Sequence, residues 1–378
     1  MKKLNVVLIV LVILNFACKR KNHQIENLVI PQESKNKTLL SSLVEDVTFI
    51  PFAGDPSQLP YEIDKAIFTD QFIVLGDFNF SKFLYAFEKE SGQFVPLPLK
   101  KGEGPNELRE VSDFWIEEDL LYVLDGIGRK ILPIKIQEGG FILQNPIPLE
   151  LPLRKFAKTE TGFVGITGGG QDFALAFVDS LGKAISKHFP FSIEYLMNPI
   201  NPFHQVKERQ KSIILLHTQF SPLIYRVDLG ELEAYKRFSF GGEPLKFPAK
   251  TDYQLDQEGF NQFRSTLQNQ PSFFTIFEKT ANQFLLFHML NDVPKMALVD
   301  GDSGVSLRFE NLKNDISFDQ PFPKVIGVND YKFLAFINKD QVNSTGADFE
   351  NSPLKIIMDS NPNSLIFLVQ FKLKLDGK

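Results

Sequence analysis

Cysteine occurs once in 378 residues, at position 18. That excludes a disulfide framework, and beyond position 18 it also excludes thiolate metal centres and cysteine nucleophiles. Histidine occurs only five times and tryptophan once. Neither sign of charge dominates: 41 Lys and Arg stand against 46 Asp and Glu, a net charge of −5. This is not the basic composition of a nucleic-acid binder. The opening apolar run, Val6 to Leu14, is nine residues and spans about 13 Å as a helix, far short of the roughly 20 residues a bilayer requires. A His-Glu-x-x-His helix, a Gly-x-Ser-x-Gly elbow and a Walker loop are all missing.

What the chain does contain is apolar mass, 43% of residues, and an unusual excess of phenylalanine, 38 against 8 tyrosines. So large an apolar share supports a sizeable core, and scattered Phe suits half-buried strands. The length corresponds to two or three ordinary domains or to one large all-β ring.

Lys2 and Lys3 precede Val6–Leu14, and Ala17-Cys18 follow. That order (charge, short apolar run, small residue) is the pattern of an export signal. The single cysteine stands where a bacterial lipoprotein signal places its lipidated thiol. Residues 1–17 therefore read as a lipoprotein signal peptide and Cys18 as the lipidation site; the alternative is a general secretory signal with an incidental cysteine. Cleavage would remove Lys2 and Lys3, leaving 361 residues of net charge −7 and no possible disulfide. Residues 18–40, with Lys19, Arg20, Lys21 and then Asn22, Gln24, Gln32, Ser34 and Asn36, read as a flexible tether between the membrane and the domain.

From residue 41 to 378 the dominant pattern is short apolar runs bounded by turn residues, for example Phe72–Leu75, Leu120–Leu124, Phe173–Val178, Phe284–Phe287 and Lys332–Ile337. Most span four to six residues and predict strands. A phrase recurs, made of an apolar strand, an acidic residue and a glycine turn. It ends at Gly92, Gly182, Gly230 and Gly304, with a weaker copy ending at Gly140. The steps between these glycines are 48, 42, 48 and 74 residues. The first three match one four-stranded propeller blade; the last matches a blade plus an insertion near 241–272. The expected fold is all-β: a single β-propeller of six blades with four antiparallel strands each, seven blades being the main competitor. An open meander would leave two sheet edges unpaired, so the first strand, Val47–Phe52, is expected to help close the ring. Two unrelated sandwiches are the other arrangement such strands allow.

Two segments resemble a known family. Leu43-Val-Glu-Asp-Val-Thr-Phe-Ile-Pro51 is similar to the opening strand, and Gly102-Glu-Gly-Pro-Asn-Glu107 to the Gly-x-Gly-Pro-x-Glu loop, of six-bladed β-propeller lipoproteins of unknown function from Bacteroidota-type bacteria. Asp113-Phe-Trp-Ile and Leu121-Tyr-Val-Leu-Asp125 follow the family's cadence, while Asn106 stands where a Gly is commoner. The resemblance implies a fold and a place in the cell envelope. A lipid anchor on Cys18 in the outer membrane, with the domain facing the periplasm or the exterior, is the location it implies. It implies no reaction.

No local motif identifies catalytic residues. The best-formed loop is Gly102, Glu103, Gly104, Pro105 and Glu107. Its carboxylates are candidate ligands for a cation or for sugar hydroxyls, and its glycines and proline equally suit a tight connector between blades. His23, His188, His204, His217 and His288 have no metal-ligand spacing; each reads first as a surface or satisfied core residue. Gly168-Gly-Gly170 and Asp300-Gly-Asp302-Ser-Gly304 read as turns, the latter lacking an EF-hand's twelfth-position Glu because Asn311 stands there. Two functions follow. One is a non-catalytic, envelope-tethered binding or scaffold propeller, a monomeric domain for a glycan, a peptide or an envelope protein and without nucleic acid. The other is a metal-assisted hydrolase or lyase with an axial cation site, calcium being the candidate cofactor and no metal ligand being nameable from sequence.

Overall fold

In a computed structural model of the chain, the described residues are 25–31, 38–168, 171–190, 201–208, 211–218, 221–241, 243–244, 258, 261–262, 265, 272–278, 283–290, 293–309, 312–318, 324–342 and 347–374. Their strands form six propeller blades, each built on four antiparallel strands. Blade 1 comprises Lys65–Phe68, Phe72–Asp77, Phe83–Glu88 and Phe94–Val95; blade 2, Asp113–Glu117, Leu120–Asp125, Lys130–Gln137 and Gly140–Leu143. Blade 3 comprises Leu153–Thr159, Gly162–Thr167, Phe173–Asp179 and Ala184–Pro190; blade 4, Phe203–Glu208, Lys211–His217, Leu223–Asp228 and Glu231–Phe240. Blade 5 comprises Ser272–Glu278, Gln283–Leu290, Val293–Asp300 and Val305–Phe309. Blade 6 takes Lys324–Asn329, Lys332–Asn338 and Ile366–Leu373 from the end of the chain and Val44–Phe52 from its beginning.

The first strands of blades 2 and 3, 4 and 5, 5 and 6, and 6 and 1 touch one another, so first strands line the axis. Second strands are the most enclosed: Phe72–Asp77 and Gly162–Thr167 are buried at every position. Between neighbouring blades the sheets pack face to face. Phe52, Phe87, Phe336 and Leu368 fill the seam between blades 6 and 1, and Val74, Leu84, Phe114 and Val123 the seam between 1 and 2. Nine of the ten largest fully buried side chains described are Phe, which accounts for the composition: a flat ring fills a wide inter-sheet gap without carrying a polar atom into it. Each contributes about 1.5–3 kcal/mol by leaving water.

The recurring glycines occupy one structural position, the hairpin between third and fourth strands. Gly92, Gly139, Gly182, Gly230 and Gly304 have φ of 67°, 78°, 83°, 85° and 69°, the left-handed region where only glycine is unstrained. In blade 2 this residue is Gly139 rather than Gly140. Blade 6 has no such hairpin because its outer strand comes from the chain's beginning, with Val369 opposite Phe49 and Phe371 opposite Val47. The ring therefore closes as expected, with six blades.

The expected tether differs. Within 18–40, Glu26–Ile30 is a strand paired in parallel with Lys236–Phe240 on the rim of blade 4, and Thr38–Leu39 pairs with Leu312–Lys313. Leu28 and Ile30 are buried while Val29 faces out, and Lys236, almost wholly enclosed, is paired with Glu26 at 2.7 Å. Apolar alternation, not the polar composition around it, decides the fate of this segment. The insertion near 241–272 lies largely outside the described residues, as do Cys18 and the signal segment. A short helix, Pro353–Ser360, capped by Ser352, lies between the second and third strands of blade 6; its sequence gave no expectation of it.

Candidate functional site

Among the cavity-lining residues of the inner strands, exposure is low near the starting ends and higher near the finishing ends. Lys65 and Ala66 are buried and Phe68 half-buried; Phe203 is buried, His204 half-buried and Gln205 exposed; Ile326 is buried, Asn329 half-buried and Asp330 exposed. The inner strands of blades 1, 2, 4 and 6 thus surround a cavity of about 360 Å³ that opens at their finishing ends. Asn201, in the connector entering blade 4, lines it near their starting ends. Asn201 Nδ2 donates to Asp64 O at 3.1 Å and Ile326 O at 3.2 Å, reaching from blade 4 to blades 1 and 6. His204 Nε2 lies 2.8 Å from Asn201 O; a carbonyl only accepts, so the imidazole carries its proton on Nε2. Two polar atoms on this wall, Trp115 Nε1 and Asn201 Oδ1, are buried with no hydrogen-bond partner. Behind His204, with ring centroids 5.3 Å apart, lies His217, fully buried and also without a partner on either nitrogen. Burial, and next the neighbouring His204, hold its pKa well below the usual histidine value.

At the starting ends of the inner strands, charges link blade to blade. Lys324 of blade 6 pairs with Glu62 and lies 3.9 Å from Asp64, both at the entrance to blade 1. Lys65 of blade 1 pairs with Asp113 of blade 2 at 2.9 Å and donates to Phe114 O at 2.7 Å. Asp113 in turn accepts from Phe156 N of blade 3 at 3.0 Å, and Lys155 Nζ donates to Ser112 O at 3.0 Å. Burial raises the Asp64 carboxyl, against the backbone N–H of Phe78 and the Lys324 charge, which lower it. Burial pushes the Lys155 ammonium down to about 8, with Asp113 opposing the shift and Lys65 adding to it. Asp64 and Asp113 are therefore each committed to a lysine and to backbone N–H groups.

The Gly102–Glu107 loop lies in the connector between blades 1 and 2. Its backbone wraps the Glu107 carboxylate, which accepts from Gly104 N at 3.0 Å; a Cβ on Gly102 would stand 2.0 Å from Glu107 Oε2. Lys130 Nζ donates to Gly104 O at 2.7 Å, and Glu103 faces outward to Arg109 at 3.2 Å. Glu103 and Glu107 thus point to different partners, and Pro105 lends its carbonyl to Lys130 at 3.3 Å. The Asp300 turn closes as a hairpin, its carboxylate accepting from Asp302 N at 2.9 Å and Ser303 Oγ at 2.8 Å. His217 and His288 occupy second strands of neighbouring blades; His188 contacts Ser186 Oγ at 3.0 Å on the outer strand of blade 3. Among the described residues, no three His, Cys, Asp or Glu side chains stand where they could share a metal ion. Trp115 and Asn201, the distinctive members of the axial wall, were not sequence candidates. They are far apart in the chain and meet only because the ring closes, and the single Trp was the one available sign.

No curated protein matches the chain in sequence. Among solved structures, BF0058 of Bacteroides fragilis, whose name assigns it to export, superposes with a TM-score of 0.75 at 18% identity, covering 92% of this chain and 99% of that one. A Bacteroides uniformis protein named for 6-phosphogluconolactonase aligns with a TM-score of 0.33 at 10% identity over 66% of this chain and 70% of its own. Residues 25–369 match the family described as a domain of unknown function, DUF4934, and the chain belongs to that family.

Proposed function

We propose that the protein is an exported, lipid-anchored binding propeller, non-catalytic, whose ligand seat is the axial cavity. The observation that carries this reading is a cavity lined by the inner strands of four blades, two of whose lining residues hold a donor and an acceptor left without partners. Such concave sites with few convergent polar groups are where ligands bind. The lysine-rich start, the apolar run and Cys18 support export and anchoring at the outer membrane, and the export name of BF0058 agrees. A glycan, a peptide or an envelope protein presenting either one is the partner class. The metal-assisted alternative would need oxygen or imidazole ligands free to converge on the axis, and Asp64 and Asp113 are engaged elsewhere.

The test is a thermal-shift screen of the purified protein against glycan and peptide libraries, repeated with Gln205→Phe, which narrows the cavity mouth. A ligand that binds only the folded state raises the melting temperature, and the substitution is expected to abolish that rise. Ligands that stabilise the variant equally would move the seat elsewhere, and turnover of a library member that the same substitution abolishes would make the protein an enzyme.

A further inference from the structure

We infer that the axial cavity seats one neutral polyhydroxylated ring, of hexose or cyclitol kind, with a hydroxyl edge toward Asn201 and Trp115 and an apolar face along Phe68 and Phe203; this deepens the binding function proposed above and rests on it. The end lined by Asn201 decides the charge of the ligand. Lys65 already has Asp113 and Phe114 O as partners, so it is no free cation for an anion. Asn201 Oδ1, an acceptor, repels a carboxylate or phosphate, and Asp330 at the mouth does the same. A cation pushed to the same depth meets the Trp115 N–H and the Lys65 ammonium. The leading group is therefore uncharged.

The two partnerless atoms decide what that group is. One is a donor, Trp115 Nε1, and one an acceptor, Asn201 Oδ1. A hydrocarbon satisfies neither. Hydroxyl groups satisfy both kinds, accepting from an indole and donating to an amide oxygen. Around them the wall is mixed: Phe68, Phe203, Ile67, Ile116 and Val328 are apolar, while Lys65, His204, Gln205, Asn329 and Asp330 bring polar groups to it. A polyol ring has this division, with C–H groups on its faces and hydroxyls on its edges, and a cavity of about 360 Å³ suits a ligand of that size. Both partnerless atoms are closed to water, so binding requires the Trp115 indole and the Asn201 amide to turn, the amide giving up its bonds to Asp64 O and Ile326 O.

That movement supplies the readout, because Trp115 is the chain's one tryptophan. The full-length protein in detergent is titrated with glucose, galactose, mannose and myo-inositol. Acetate, ethylamine and toluene serve as anionic, cationic and apolar probes, and both Trp emission and melting temperature are followed. At least one polyol is expected to give a saturable emission change that the other probes do not. Its affinity should fall about tenfold or more in Asn201→Leu, the loss of one hydrogen bond, and in Gln205→Phe, an exposed position where the fold is not at stake. A polyol that binds Gln205→Phe unchanged overturns the inference. So does an emission change with acetate, ethylamine or toluene and none with a polyol, an outcome that leaves the binding reading standing. If no probe moves emission and the library screen also finds no ligand, both fall.

Discussion

His217 ends the second strand of blade 4 with both ring nitrogens enclosed and without partners. A buried polar atom left unpaired costs about 1–3 kcal/mol, and a buried imidazolium costs more, so the folded protein keeps this ring neutral. The sign of the pH dependence follows. The folded-state pKa is depressed, so below the ordinary value of about 6.5 the unfolded chain binds a proton that the folded one refuses. Stability from this residue is intact above that pH and falls as the pH drops below it, by up to about 1.4 kcal/mol per unit, until the folded-state pKa is reached. His217→Phe keeps an aromatic ring against His204 and removes both orphaned nitrogens. Urea denaturation at pH 7.5 and pH 5 should show the natural chain losing stability on acidification and the variant losing clearly less. Equal losses would assign the acid sensitivity to other groups. In sequence this histidine reads like its fellows, because an imidazole after an apolar strand does not disclose whether a hydrogen-bond partner awaits it.

Hairpins between third and fourth strands show how far a sequence pattern reaches. The glycine spacing marks five blade repeats directly, because a left-handed residue at a fixed place in each blade leaves few side chains the position will accept. What the spacing does not show is the surroundings. At Gly182 an added Cβ would lie 1.9 Å from Pro148 O, and at Gly92 2.4 Å from Pro51 O, whereas at Gly230 and Gly304 it meets open space. Gly304→Ala should therefore carry only the conformational penalty, about 1 kcal/mol. Gly182→Ala must in addition displace the backbone of the preceding connector and should lose several times as much. Chemical denaturation of the two variants provides the comparison; equal losses would mean that the connector yields freely.

At the scale of the ring, the beginning of the chain does two different jobs. Ring closure was legible because Val47–Phe52 is a dense apolar run with no other sheet to join, and the want of a sixth glycine hairpin marks the blade it completes. The Glu26–Ile30 strand was not legible, because its two buried side chains, Leu28 and Ile30, are set among polar residues. The axial wall was hidden for a third reason: its residues come from four blades and no window of sequence holds them together. These roles predict different truncations. A chain beginning at residue 38 loses Glu26–Ile30, exposing the rim of blade 4, but Lys236 then meets water rather than an apolar wall, so losing Glu26 does not strand its charge. Two apolar side chains leave the core at about 1.5–3 kcal/mol each, and a cooperative melt should survive at a temperature lower by roughly 4–8 °C. A chain beginning at residue 53 loses Val44–Phe52 as well. That strips Phe52 from the seam between blades 6 and 1 and leaves Ile366–Leu373, with its buried Phe367, Val369 and Phe371, as an open edge. An unpaired apolar edge associates with other chains. This shorter form should lose its cooperative transition in circular dichroism and sediment as aggregates, whereas a sharp monomeric melt would show that the six blades hold together without their shared strand.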